Sequence, residues 1–277
     1  MRLIKPSFEV WKQPSGLKGI YKQIEKAGRV CYKSEDKITK DSAKSFVDRM
    51  VKSGHGAMLE HGTVYLKVFN VIENSELIDK YKSNKYSVVK EGTEVYNCHG
   101  DILYGSCKCI TTNYRVLVEN DWLDDLQYIC EPTEYHEMRV TAYFIADAGV
   151  MREFFRHRVF SMAQESTRYC NYLRDKFGNS ITVIYPCWLK EEEELEFEED
   201  IRVIEELYFK WLKKGWTAQQ ARVFLPLGVK AEAVMTGFVS DWKHFFELRD
   251  AASAHPQAQE LAHPLHETFI QRGLIEK

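Results

Sequence analysis

The sequence predicts an α+β fold, a mixed or antiparallel sheet flanked by helices, with a β-rich insertion over approximately residues 73–133. Three observations predict it. Several stretches carry apolar residues at helical spacing. Others alternate strictly, as in Val64, Leu66 and Val68 against Tyr65, Lys67 and Phe69. No internal repeat or low-complexity linker divides the chain, so residues 1–277 read as a single domain.

In order, residues 17–32 form a helix with Leu17, Ile20, Tyr21, Ile24 and Ala27 on one stripe. A second helix fits 41–53, with Phe46, Val47, Met50 and Val51 inward and Asp41 as its cap. The alternation at 64–69 is a strand with two distinct faces. The insertion holds short β-like runs at 86–89, 94–97 and 110–118. Met138, Val140, Ala142 and Phe144 alternate again, a strand expected to pair with the one at 64–69. It runs into a helix over 147–157. A short strand at 181–185 is stopped by Pro186, and an acid-first, lysine-last amphipathic helix occupies 189–216. Thr217 and Gln220 make a capping box for a helix that Pro226 ends. A strand over 229–235 and a helix over 241–252 follow.

The chain is 44% hydrophobic and 29% charged, the composition of a globular domain, and its net charge of −3 supplies no global field for nucleic acid. An anionic ligand must therefore meet a local cluster of arginines. No apolar run approaches the roughly 20 residues of a membrane span, and the opening MRLIKPSFEVWKQ has no apolar block, so a cytoplasmic protein is expected. Seven cysteines at scattered spacings argue against a disulfide framework. Cys107 and Cys109, with Cys98 and His99 nearby, lack the usual two-residue zinc spacer, and no metal is expected.

Arg156, His157 and Arg158 sit together at a predicted helix end. Alone they read as a solvated basic terminus complementing the helix dipole. Close behind come Ser161, Gln164, Ser166, Arg168 and Tyr169, dense in hydroxyl, amide and guanidinium donors. Such a set suits an anionic ligand with a polar ring. Arg222 and Arg249 lie among apolar neighbours, where each needs either a ligand or an acid such as Glu232 or Asp250. No Rossmann or P-loop glycine pattern, GxSxG or HExxH is present. Ser166 has no histidine placed by sequence to activate it, and Cys187 is followed by Trp188 and an acidic helix. Neither is expected as a nucleophile.

At this point the residues resemble a known family. RHR, seven residues, then Ser166 matches the RHR-x7-S signature of the flavin-dependent thymidylate synthases. GR-x-CY at 28–32, GH-x3-LEH at 54–61, ARVFLP at 221–226 and W-x-HF-x3-R at 242–249 fall in that family's order. The resemblance implies that family's fold and conversion of dUMP to dTMP with FAD, NADPH and methylenetetrahydrofolate in a homotetramer. It also implies FAD contacts from Ala57, Glu60, Arg156, His157, Arg158, Gln164 and His244, with His55 close by. dUMP would be held by Glu153, Arg156, Gln164, Glu165, Ser166, Arg168, Arg222 and Arg249. Arg249 would be the catalytic residue, favouring ionisation at uracil N3. Departures from the pattern are Phe238, Val239 and Ser240 where many members have Asn, a variable residue and Arg, Ser253 in place of a histidine, and Ala57 in place of Ser or Thr. They admit a second reading, a related flavoenzyme acting on another pyrimidine nucleotide or one-carbon donor. A nucleic-acid-binding module is disfavoured by the charge.

Overall fold

The structure, a computed structural model, describes residues 1–69, 72–98, 101–168, 170–173 and 178–276, with the backbone alone at 95–98 and 101–104. In chain order the elements begin with β1 (Arg2–Ile4), β2 (Ser7–Trp11), α1 (Gly16–Tyr32), α2 (Ser42–Lys52), α3 (Gly56–Leu59) and β3 (Thr63–Val68). Next come α4 (Ser75–Lys82), β4 (Val88–Cys98), β5 (Asp101–Asn113), α5 (Tyr114–Glu119), β6 (Arg139–Asp147), α6 (Ala148–Phe154) and β7 (Ser161–Gln164). The chain continues through β8 (Thr182–Ile184), α7 (Glu194–Lys213), α8 (Ala218–Ala221), β9 (Lys230–Phe238), α9 (Val239–Arg249) and α10 (Pro256–Gln271). The α+β class, with antiparallel sheets flanked by helices, is what the sequence predicts.

An antiparallel four-stranded sheet in the order β2-β6-β9-β7 organises the molecule. Alternation along β9 sends Ala231, Ala233 and Met235 into a core with α6, α9 and α10, while Val234 packs on the other face against Ala27 and Val30 of α1. Both faces are thus covered, which is why β9 is nearly continuous in buried residues. Trp242, fully buried, donates its Nε1 hydrogen to Val140 O at 3.1 Å, so the indole buries its surface without orphaning its polar edge. Gly28 lets α1 approach α2, since a Cβ there would meet the Phe46 ring at 2.5 Å.

The insertion pairs differently from expectation. β3 lies against β5, and β5 against β4, in a separate antiparallel sheet with its own apolar cluster of Val64, Leu66, Ile110 and Tyr81. The strand at 138–144 does not pair with β3; β6 lies between β2 and β9. The outer face of β3 is taken up by packing, so the predicted two-faced strand is buried on both sides. The run at 110–118 switches at Asn113, whose side chain accepts from Val116 N and starts α5. Arg139 joins the two sheets: Nη1 donates to Glu60 O at 3.1 Å and Nη2 to Ser161 Oγ at 3.1 Å.

Other boundaries shift for local reasons. Asp41 stands at the N-cap of α2 without a side-chain cap bond, and Val51 is exposed rather than inward. Asp147 caps α6 through Val150 N at 2.8 Å, but the helix stops at Phe154, before the RHR segment. The Thr217–Gln220 capping box forms, with only one turn of α8 behind it, so Arg222 falls in the tight turn that follows. Among the described residues no helix is long and apolar enough to cross a membrane.

Candidate active site

A cavity of about 470 Å³ lies where the C-terminal end of α1 meets the start of β9, the end of β7 and α6. Gln164, Glu165, Ser166, Arg168 and Arg222 line it, so five predicted nucleotide contacts come together from segments more than fifty residues apart in sequence. The segment after β7 is held from both sides. Glu165 N donates to Glu232 O at 2.8 Å, and Ser166 N donates to Cys31 O at 3.3 Å. Ala148 and Arg152, one helical turn apart on α6, close another wall.

Beneath the cavity is a buried ionic network. Glu232 accepts from Lys33 Nζ at 2.6 Å, Lys230 Nζ at 2.5 Å and Tyr143 OH at 2.5 Å. Lys230 also pairs with the buried Glu165 at 2.8 Å, which turns that carboxylate away from solvent. Burial works against the Glu232 charge, but the two lysines and the tyrosine outweigh it and hold the carboxyl at about 2. The role of Glu232 as partner was anticipated for Arg222 or Arg249; it serves the lysines instead. Sequence reasoning missed Lys33, Lys230 and Tyr143, which have no local pattern because the network spans residues 33 to 232.

Glu153, His157 and Arg249 form a second cluster, outside the cavity lining. Arg249 donates from Nη1 to Glu153 Oε2 at 2.8 Å, from Nη2 to Glu153 O at 2.9 Å and from Nε to His157 Nε2 at 3.0 Å. Its acid partner is therefore Glu153, not Glu232 or Asp250. His157 is buried, and burial together with Arg249 and His244 pushes its pKa to about 4. The RHR segment thus carries two cations, Arg156 and Arg158, both exposed, around a neutral imidazole. The His244 ring lies 6.0 Å from that of His157.

Ala57 and Glu60 belong to a third region. Ala57 is exposed on α3, and Glu60 pairs with Arg115 at 2.5 Å. α3 packs against β7, and Arg139 links Glu60 O to Ser161 Oγ, whereas neither Ala57 nor Glu60 lines the cavity. Tyr169 and His99 lie outside the described residues. Among the described residues, no group of three metal-ligand side chains converges. Tyr32, Cys31 and Thr167 also line the cavity and were not singled out as contacts; for Cys31 and Tyr32 the GR-x-CY segment was the available signal.

A family model described as "Thymidylate synthase complementing protein" matches residues 131–272. A "Probable flavin-dependent thymidylate synthase" of Paramecium bursaria Chlorella virus 1 is 29% identical over 139 residues, 44% of this chain and 62% of that protein. A "Flavin-dependent thymidylate synthase" of Pyrococcus furiosus is 32% identical over 123 residues, 43% of this chain and 49% of that protein. One of Pyrococcus abyssi is 32% identical over 120 residues, 42% of this chain and 48% of that protein. The chain therefore spans less than two thirds of each curated relative it matches. Among solved structures, a UMP/dUMP methylase PolB from Streptomyces cacaoi bound with 5-Br dUMP aligns over 98% of this chain and 93% of that chain, at TM-score 0.44 and 17% identity.

Proposed function

Because the chain belongs to the thymidylate synthase complementing protein family, we propose that it is an FAD-dependent thymidylate synthase. It converts dUMP to dTMP with methylenetetrahydrofolate as one-carbon donor and NADPH as reductant. The convergence of Gln164, Ser166, Arg168 and Arg222 on one cavity carries the reading. Cys31 is the one cysteine among the described residues lining that cavity, and burial raises its thiol to about 11 despite a backbone hydrogen bond at Gln164. A protonated thiol is a poor nucleophile toward uracil C6. The cavity instead presents the guanidinium and amide donors of Arg168, Arg222 and Gln164, and activation of the pyrimidine is assigned to such donors.

The residues fit a flavin dinucleotide. Exposed Arg156 and Arg158, without an ion pair among the described residues, suit a diphosphate, and neutral His157 beside His244 offers uncharged ring contacts. Gln164, Ala57 and Glu60 complete the proposed flavin set. Bound and reduced, the flavin supplies hydride.

The chain's own groups do the rest. Arg168 and Arg222 bind the nucleotide phosphate, and the Ser166 hydroxyl and Gln164 amide orient sugar and base. Arg249, presented by Glu153 and His157, stabilises negative charge at N3 and the adjoining carbonyl. Since Arg249 stands outside the cavity lined by Arg222, this reading includes a homotetramer in which one chain's arginine completes another's site. A cytoplasmic location accompanies it.

The purified protein is expected to be yellow and to release the C5 hydrogen of dUMP when the folate donor and NADPH are supplied. Failure to bind either flavin or dUMP at micromolar concentration rejects the proposal. Preference for another pyrimidine nucleotide in a substrate panel would transfer it to the related-enzyme reading.

A further inference from the structure

The nucleotide cavity holds a third guanidinium. Arg152 lines it together with Arg168 and Arg222. It stands in the last turn of α6, where a cation ordinarily complements the helix dipole. Its placement serves something else. Helical side chains lean toward the N-terminal end, so Arg152 reaches back over Ala148, one turn earlier, and both residues line the cavity. The methyl group of Ala148 leaves that wall open to the longer side chain.

The acids around the cavity are committed elsewhere. Glu165, the one acid among the lining residues, is buried against Lys230 at 2.8 Å. Glu153 pairs with Arg249 at 2.8 Å, and Glu232 is shared by Lys33 and Lys230. Asp147 caps α6 and does not line the cavity. Arg152 and Arg222, both exposed, have no ion pair among the described residues. Three guanidinium groups around about 470 Å³ repel one another unless a multiply charged anion sits among them. A phosphate monoester carries about 1.5 to 2 negative charges at pH 7 and presents three acceptor oxygens. That is one oxygen for each arginine.

We propose that Arg152 is a further phosphate-binding residue, completing with Arg168 and Arg222 a clamp that makes recognition depend on the nucleotide's 5′-phosphate. The proposal rests on the reading of this cavity as a nucleotide site.

The test is calorimetric titration of the intact protein, with flavin present, against dUMP and deoxyuridine, and against UMP and dCMP as other pyrimidine monophosphates. The parent is expected to bind dUMP at least about a hundredfold more tightly than deoxyuridine. Arg152→Ala should narrow that gap about tenfold, by weakening dUMP alone, and should flatten the salt dependence of dUMP binding. Arg152→Lys should restore only part of the affinity, since an ammonium lacks the planar fork. A merely structural cation at the helix end behaves differently: lysine replaces it fully, and its loss affects both ligands alike. Full restoration by lysine, equal loss for dUMP and deoxyuridine, or unchanged dUMP affinity in Arg152→Ala overturns the proposal and leaves the thymidylate synthase reading standing. Binding of UMP or dCMP in place of dUMP, with the same dependence on Arg152, supports the phosphate role and rejects dUMP as substrate. Binding of no pyrimidine monophosphate overturns both.

Discussion

Arg249 donates from Nε to His157 Nε2 at 3.0 Å, a bond that requires an unprotonated Nε2. The imidazole is therefore neutral with its proton on Nδ1, and burial, Arg249 and His244 keep it so by lowering its pKa to about 4. The folded value lies below the ordinary 6.5, so the unfolded chain takes up the proton first. Stability from this site is complete above about pH 6.5 and is lost as pH falls toward 4. His61, buried and then opposed by Arg139, acts in the same direction with a pKa of about 3. Melting temperatures are expected to fall over this interval, and His157→Gln should remove part of the slope. An imidazole NMR titration of His157 centred near 6.5 would contradict the hydrogen bond.

The Glu153–Arg249 pair spans 2.8 Å, with side chains 29% and 14% exposed, and carries two of the three donor contacts of Arg249. Glu153→Ala leaves a half-buried guanidinium nitrogen without its acceptor, and is expected to cost about 1–3 kcal/mol in urea unfolding. Arg249→Ala should abolish turnover while the far-UV circular dichroism stays native. Near-normal turnover would remove Arg249 from the proposed machinery. A double-mutant cycle should show that the two substitutions are not additive.

Arg222 differs from Arg249 in having no ion pair among the described residues, while its exposed side chain lines the cavity with Ser166 and Arg168. Arg222→Ala is expected to weaken dUMP binding by about 1.5–3 kcal/mol, the range of a hydrogen bond to a charged group. The melting temperature should hardly move, as for other surface changes. Arg222→Lys should restore only part of the affinity, since an ammonium lacks the planar fork. Unchanged dUMP affinity in the alanine variant would place the phosphate elsewhere.

These contrasts mark where the sequence was legible. The α1 stripe, the capping box of Thr217 and Gln220 and the alternation that became β9 are written in neighbouring residues, and so were readable. The partner of β3 was not. β5 and β6 both alternate, and choosing between them depends on which face each presents after the chain has folded back. The N-terminal strands and α10 were also missed. β1 and β2 are short, and α10 contains Pro264, which interrupts a helical reading although the helix continues through it.

The site divides along the same line. Gln164, Ser166 and Arg168 stand within five residues of one another, and they do share a cavity. Arg222 stood out by its apolar neighbours, and only its nucleotide role came through the family segment. Charge state was beyond the sequence: three adjacent basic residues looked like three cations, yet burial neutralises His157. The ionic network around Glu232 was equally hidden, because each of its partners is unremarkable alone.

That network yields the last prediction. Glu232 is held at about 2 because Lys230, Lys33 and Tyr143 outweigh its burial, well below the ordinary 4.5. A depressed carboxyl contributes stability that is present above about pH 4.5 and disappears as pH falls through 2. Glu232→Gln keeps the shape but leaves Lys33 with Glu35 and Lys230 with Glu165 as their ion-pair partners. Breaking one side of a buried ion pair typically costs about 3–5 kcal/mol, and urea unfolding at neutral pH should show a loss of that order. The penalty should shrink as pH approaches 2, where the native carboxyl is itself protonating. Because Lys230 also fixes Glu165 and the segment lining the cavity, dUMP affinity is expected to fall along with stability. Tyr143→Phe removes one neutral donor and should cost only about 1 kcal/mol. A Glu232→Gln protein as stable as the parent at pH 7 would mean that the two lysines find other counter-charges and that the network does not support the cavity.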